Sequence, residues 1–176
     1  GMAASMAAFL LSSGKKGTIE EPLNNSKGCG GVMRVAPVGL YFENSQEAGM
    51  IGAKVSAITH GHPLGIIPAY ILSSMISLIV YQKMSIKEAL DKAIEELQEE
   101  NIFDQENINI MLDLIEKAIK LSKDNISDVL AIKELGEGWV AEEALAIALY
   151  ASLKYSNSTQ DTLIAAVNHD GDSDST

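Results

Sequence analysis

Cysteine, aromatic residues and basic residues are all scarce in this sequence of 176 residues. The single cysteine, Cys29, excludes an internal disulfide framework and is typical of a protein from a reducing compartment. Lysine and arginine number 13 against 24 aspartate and glutamate residues, and the net charge of −11 argues against binding to a nucleic-acid backbone. No secretory leader is recognised. We therefore expect a cytoplasmic protein without a nucleic-acid partner.

Strand-like alternation of apolar and polar residues is also missing. Aromatic residues make up 5% of the chain although 47% of it is hydrophobic, and this composition favours packed helices over sheets. The sequence predicts one domain over residues 1–176, an all-α bundle of about eight helices. The clearest predicted helices cover residues 3–11, 64–81, 107–123 and 127–135, with others beginning at Ser45, Ser85, Glu142 and Ser158.

One apolar stretch, residues 64–81, is about as long as the shortest membrane-spanning helices. Pro68 and three serines interrupt it. A helix that is apolar on all sides is more often the buried centre of a bundle, so we expect no membrane association.

Two glycine-rich segments allow a ligand to approach the backbone closely. Gly28, Gly30 and Gly31 lie in a long loop, where backbone amides can form an anion-binding nest, but an ordinary flexible loop fits the same pattern. Gly136 and Gly138 form the second segment. Trp139, which follows, is interpreted as a packing anchor.

Histidine adds little chemistry on its own. His60 follows a predicted helix, where a cap or a partner of the helix dipole is the ordinary role. His62 is interpreted as a surface residue. Nothing near Cys29 indicates a catalytic nucleophile.

The last nine residues are the most distinctive stretch. Asp170, Asp172 and Asp174 alternate, so their carboxylates would converge in an extended segment, and hydroxyl residues follow. Such oxygen donors suit magnesium or calcium. A solvated acidic loop and a calcium loop are alternatives, although the calcium loop lacks its usual closing glutamate.

Four segments of this chain, taken in order, resemble the ADP-ribosylglycohydrolases, a family that includes the ADP-ribosyl-dinitrogen reductase hydrolases. The segments are residues 24–37 (NNSKGCGGVMRVAP), 59–63 (THGHP), 135–145 (LGEGWVAEEAL) and 171–176 (GDSDST). The last resembles the family's C-terminal metal motif, and the first resembles its glycine-rich ligand loop. Together the four segments span nearly the whole chain.

The resemblance implies hydrolysis of the bond between ADP-ribose and a modified protein side chain, with two magnesium ions. ADP-ribose or an ADP-ribosylated protein is the implied partner. The implied substrate-binding residues are Ser26, Lys27, Gly28, Cys29, Gly30, His60, Gly136 and Gly138, and the implied metal ligands are Asp172, Asp174 and Ser175.

The sequence departs from the family pattern at both ends. Two N-terminal segments that carry the remaining metal ligands and the catalytic acid are not found, and the helix expected after Thr176 is absent too, so the chain resembles the middle and later part of a family member, cut at both ends. We therefore expect little or no activity from this chain alone, and self-association through surface that the absent segments would cover. A non-catalytic module that binds ADP-ribose or acts as a scaffold is the first alternative, and a calcium-stabilised interaction domain is the second.

Overall fold

The computed structural model describes Gly14 and residues 16–176 as a set of packed helices. A 3₁₀ helix, Val32–Arg34, precedes the α-helices α1 (Ala36–Tyr41), α2 (Ser45–Ala57), α3 (Pro63–Gln82), α4 (Ile86–Glu99), α5 (Gln105–Lys123), α6 (Asp128–Leu135), α7 (Ala141–Lys154) and α8 (Thr159–Val167). Among the described residues, β-structure is limited to one isolated bridge. The predicted all-α bundle of about eight helices is confirmed. The helix predicted over residues 3–11 lies outside the described residues, and the single domain stays a prediction.

Side-chain caps explain where most of the helices begin. The Ser85 hydroxyl accepts from the amide of Glu88, whose carboxylate accepts from the amide of Ser85, so the predicted capping box of α4 is confirmed. The cap predicted at Ser45 is wrong by one residue, because the side chain of Asn44 accepts a hydrogen bond from the amide of Glu47 in the first turn of α2. The Ser45 hydroxyl instead donates to the buried carboxylate of Glu96, 2.6 Å away.

The apolar helix α3 is the centre of the bundle. It contacts α1, α2, α4, α5 and α7. By length and composition it could cross a membrane, yet 72% of its most apolar window is buried inside the fold, as predicted for a core helix. Its interrupting serines donate to neighbouring segments: Ser73 to the Val35 carbonyl, Ser74 to the Glu96 carboxylate and Ser77 to the Phe42 carbonyl.

Among the described residues, two large apolar clusters fill the bundle, and a small third one joins Val32 of the 3₁₀ helix to the first turn of α7. The first lies between α2, α3, α4 and α5, and the second lies between α5, α6 and α8. Helix α7 contributes Leu145 and Leu149 to the first and Ile147 and Tyr150 to the second. Helix α7 therefore packs against both large clusters.

A polar cluster fastens the start of α6 to the end of α7. The Asp128 carboxylate accepts hydrogen bonds from the Tyr150 hydroxyl at 2.6 Å, the Lys154 ammonium at 2.9 Å and the Tyr155 hydroxyl at 2.9 Å. The Lys154 ammonium also lies 5.2 Å and 5.6 Å from the centres of the two tyrosine rings.

Replacing this carboxylate should make stability less sensitive to acid. Burial by itself raises the pKa of Asp128, but hydrogen bonds from Tyr150, Lys154 and Tyr155 together hold it below its ordinary value. The resulting stabilisation is present above the pKa of an unfolded aspartate, about 3.9, and is lost as the pH falls through the lower pKa of the folded state.

We expect Asp128→Asn to lower the free energy of unfolding by about 2 kcal/mol at pH 7, since it removes hydrogen bonds to a charged group. Urea titrations from pH 7 to pH 2 should show the variant and the wild type converging below pH 4. A gap that stays constant over this range would mean that the charge of Asp128 does not contribute.

Candidate ligand site at the glycine loop

The glycine loop, residues 24–31, pairs with the turn that precedes α7. The amide of Cys29 donates to the carbonyl of Trp139 at 3.1 Å, and the amide of Ala141 donates to the carbonyl of Lys27 at 2.9 Å. These two bonds form the isolated antiparallel bridge of the fold. The two glycine-rich segments, more than 100 residues apart in sequence, are therefore neighbours.

The acidic terminus, residues 168–176, lies against the same turn. The amide of Asp172 donates to the carbonyl of Glu137 at 2.6 Å. A β-carbon at Gly171 would overlap that carbonyl oxygen, so only glycine allows this approach. The Thr176 hydroxyl donates to the Ala166 carbonyl at 2.7 Å and fastens the terminus to the end of α8.

Side chains of the glycine loop and the acidic terminus meet at Cys29. The Ser175 hydroxyl lies 2.7 Å from Oδ2 of Asp172 and 3.1 Å from the Cys29 sulfur. The Cys29 thiol lies 3.2 Å from the same carboxylate oxygen. Asp172 and Ser175, two predicted metal ligands, thus contact each other and Cys29, a residue predicted to line the ligand site.

Hydrogen bonding and burial shift the pKa values of Asp172 and Cys29 in opposite directions. The Ser175 hydroxyl, with the Cys29 thiol, holds the pKa of Asp172 below its ordinary value in spite of burial. Burial raises the pKa of the Cys29 thiol, and the Asp172 carboxylate raises it further. A protonated thiol is a poor nucleophile, in agreement with the expectation that Cys29 lines the site without reacting.

The acidic terminus contains part of a metal-binding shell. Asp172 is buried and offers a carboxylate oxygen beside the Ser175 hydroxyl, and such oxygen donors suit a hard cation. Asp170 and Asp174 are exposed, but Asp174 lies close enough to Asp172 to help lower the pKa of that carboxyl, and its role as a metal ligand stays a prediction. In the described part of the chain, no three His, Cys, Asp or Glu side chains are grouped closely enough to hold a metal ion. Magnesium takes about six donors, and the residues present do not complete that set.

Asn24 fastens the glycine loop above the end of α2. Its Oδ1 accepts from the amides of Ser26 at 2.9 Å and Gly61 at 3.0 Å, and its Nδ2 donates to the carbonyl of Thr59 at 2.9 Å. His60 lies beneath the loop and is only 1% exposed. The histidine predicted to contact a ligand is therefore within reach of the loop, although it is buried.

Lys27 forms an ion pair with Glu142 in the first turn of α7. The Lys27 side chain is 41% exposed, whereas that of Glu142 is 6% exposed. The second carboxylate oxygen of Glu142 is buried and has no hydrogen-bond partner among the described residues. The pair links the glycine loop to α7 and leaves Lys27 at the surface of the site.

The side chain of Glu143, in the first turn of α7, holds the turn that precedes this helix. One carboxylate oxygen of Glu143 accepts from the amides of Glu137 at 3.0 Å and Gly138 at 3.1 Å, so these amides are already bonded. Gly138 has φ +82°, and a β-carbon there would lie 3.2 Å from the Asp172 carbonyl oxygen. Trp139 is 59% exposed, so its predicted role as a packing anchor is wrong; its backbone, rather than its ring, makes the contact with the loop.

The predicted ligand residues divide into two groups. The glycine loop, His60 and Gly138 lie together around the Cys29 contact, and a cavity of about 240 Å³ opens beside it, lined by Val32, Met33, Leu72, Ala148 and Ser175 among others. Gly136 lines a different cavity of about 210 Å³, together with His169 and Gly171. The ligand-binding role of all these residues stays a prediction.

Several residues that hold the site together were not among the predicted ligand residues. Asn24, Arg34, Glu142 and Glu143 each fix part of it through hydrogen bonds with residues that are distant in sequence or across a turn. The signal available for them was their place in two of the segments that resemble the family. His62, interpreted as a surface residue, is half-buried and caps α3 through its Nδ1.

The chain is similar to known proteins over most of its length. ADP-ribosylhydrolase ARH3 from Bos taurus is 24% identical over 169 residues, which cover 85% of this chain and 46% of that protein. The chain thus spans less than half the length of this curated relative. No solved structure matches the chain. The family described as ADP-ribosylglycohydrolase matches over residues 1–176, and the chain therefore belongs to the ADP-ribosylglycohydrolase family.

Proposed function

We propose that this chain carries the ligand-binding half of a hydrolase that removes ADP-ribose from modified protein side chains or related ADP-ribosyl compounds. The observation that supports the proposal is the meeting of the glycine loop, the turn before α7 and the acidic terminus at Cys29. Family membership and the similarity to an ADP-ribosylhydrolase support the same class of reaction.

The residues of the site have complementary properties for such a ligand. We assign the diphosphate to the glycine loop, where Gly28 and Gly30 allow the backbone to pass directly over the His60 ring and Lys27 adds a partly exposed positive charge at the edge. The neighbouring cavity is largely apolar, with Val32, Leu72 and Ala148 in its lining, and suits a nucleoside. The site therefore combines anion-binding and apolar surfaces.

Magnesium is the cofactor we propose, and Asp172, Asp174 and Ser175 would hold it in part. When bound, it would polarise oxygens of the ribose and so assist hydrolysis. The donors among the described residues are too few for a complete site, so we propose weak metal binding and little or no turnover without further protein ligands. A non-catalytic ADP-ribose-binding module is the alternative, and the incomplete donor set is the observation that favours it.

Binding and turnover separate these possibilities. Calorimetry with ADP-ribose should show weak binding, and Gly30→Val should abolish it, because its branched side chain would occupy the space between the loop and His60. Ser156→Val, in the exposed turn before α8, is the matched control. Release of ADP-ribose from an ADP-ribosylated peptide would establish the hydrolase, and binding without release would establish the module. No binding at millimolar ADP-ribose would contradict both.

Self-association, a cytoplasmic location and the absence of nucleic-acid and membrane partners also remain proposals. Among the described residues, exposed apolar side chains lie on several elements. Helices α6 and α8 carry five of them, Val129, Leu130, Leu163, Ile164 and Val167. Light scattering over a range of concentrations tests whether this surface drives association.

A further inference from the structure

Arg34, the only arginine of the chain, is directed at the end of α2. Its guanidinium donates hydrogen bonds to the carbonyl of Val55 at 2.9 Å and to the hydroxyl oxygen of Thr59 at 2.5 Å, and it lies 3.4 Å from the carbonyl of Ser56. The 3₁₀ helix that carries Arg34 follows the glycine loop directly. Arg34 therefore connects the loop to the segment that contains His60.

The Thr59 hydroxyl links Arg34 to His60. Its oxygen lies 2.8 Å from Nδ1 of the imidazole. An arginine has only donors, so the Thr59 oxygen accepts from Arg34 and its own hydrogen remains available. Donation of this hydrogen to Nδ1 makes Nδ1 an acceptor and places the ring proton on Nε2. The opposite tautomer would leave the hydroxyl hydrogen without an acceptor among the described residues.

The Nε2 atom then presents its N–H to the glycine loop. It is buried and makes no hydrogen bond with any described residue. A β-carbon at Gly28 or at Gly30 would lie 3.6 Å from it, so the loop passes over the ring at two positions without side chains. A buried donor of this kind needs an acceptor, because an unpaired one costs stability.

We propose that Arg34 and Thr59 are positioning residues that hold His60 as a neutral, Nε2-protonated imidazole, whose N–H donates to an oxygen of the bound ADP-ribosyl group. The proposal rests on the function proposed above. Burial lowers the pKa of His60, and the neighbouring Arg34 charge lowers it further, in keeping with a neutral ring. Because the Nε2–H of His60 can only donate, it binds a phosphate or hydroxyl oxygen and disfavours a ligand group that is itself only a donor.

The tautomer can be read directly by long-range ¹H–¹⁵N correlation spectra of the histidines, of which the chain has three. We expect the Nε2–H form for His60 in the wild type at pH 7. In Thr59→Val the constraint on Nδ1 is lost, and a mixture of tautomers should appear. Thr59→Ser retains the hydroxyl and should retain the wild-type spectrum. An Nδ1–H tautomer in the wild type would overturn the proposal without bearing on ADP-ribose binding.

Calorimetry with ADP-ribose tests the second part. Thr59→Val should weaken binding by about tenfold, the effect of one hydrogen bond to a charged group, and Thr59→Ser should stay within about twofold. Adding His60→Gln to Thr59→Val should restore affinity, because the glutamine amide donates at the Nε2 position whatever residue 59 is. Failure of this rescue, with all variants folded by melting curves, would overturn the positioning role. Absence of binding by the wild type would instead overturn the proposed function, and the spectra would still report the tautomer.

Discussion

Gly52→Val should lower the melting temperature by roughly 6–12 °C, which corresponds to about 3 kcal/mol in a chain of this size. Helices α2 and α3 make the most extensive helix–helix contact of the fold, and Gly52 lies in it. A β-carbon at Gly52 would lie 2.7 Å from the β-carbon of Ser73 and 2.8 Å from the carbonyl oxygen of Ala69. Because the second of these is a backbone atom, the helices must move apart.

The matched control for this experiment is Lys54→Val on the exposed side of the same helix. It introduces the same side chain without steric overlap, and its only expected cost is the modest loss of helix propensity from lysine to valine, which Gly52→Val does not incur. Its melting temperature should differ little from that of the wild type. If Gly52→Val also melts within about 2 °C of the wild type, the two helices pack less closely than the structure indicates.

Lys27→Met is expected to destabilise the fold more than an ordinary surface substitution. It removes the only hydrogen-bond donor described for the buried carboxylate of Glu142 and leaves that charge without a partner. Breaking a buried ion pair costs about 3–5 kcal/mol. Since Lys27 itself is partly exposed, we expect a value near the lower limit, about 3 kcal/mol.

The double variant Lys27→Met/Glu142→Met should recover most of this loss, because no buried charge remains. Lys92→Met provides the comparison, since Lys92 is also 41% exposed but its partner, Glu95, is 61% exposed. Its midpoint in urea should stay within experimental error of the wild type. Equal effects of Lys27→Met and Lys92→Met would mean that water neutralises Glu142 without the lysine.

The helices were predictable because their determinants are local. The capping box at Ser85, the helix opened by Pro63 and the apolar stripe of α5 involve residues within one or two turns of each other. Boundaries were less certain: Asn44 caps α2 in place of the neighbouring Ser45, since both side chains suit the position. The buried position of α3 also follows from its sequence, because a helix that is apolar on all sides needs neighbours on all sides.

The identity of the loops around the site came from family resemblance, whereas their contacts came from the fold. Nothing in the sequence indicates that Cys29 touches Asp172 and Ser175. Alternation along the chain suggested that Asp170, Asp172 and Asp174 are equivalent. In the structure only Asp172, which follows the close approach of Gly171 to Glu137, is buried, whereas Asp170 and Asp174 are exposed.

Local sequence thus accounts for the helices, most of their ends and the choice of glycine where backbone segments approach. The tertiary structure decides which side chains meet: Lys27 with Glu142, Arg34 with Thr59, and the acidic terminus with the glycine loop. The physical reason is distance along the chain. Hydrogen bonds and ion pairs act over about 3 Å in space and leave no periodic pattern when their partners are tens to more than a hundred residues apart.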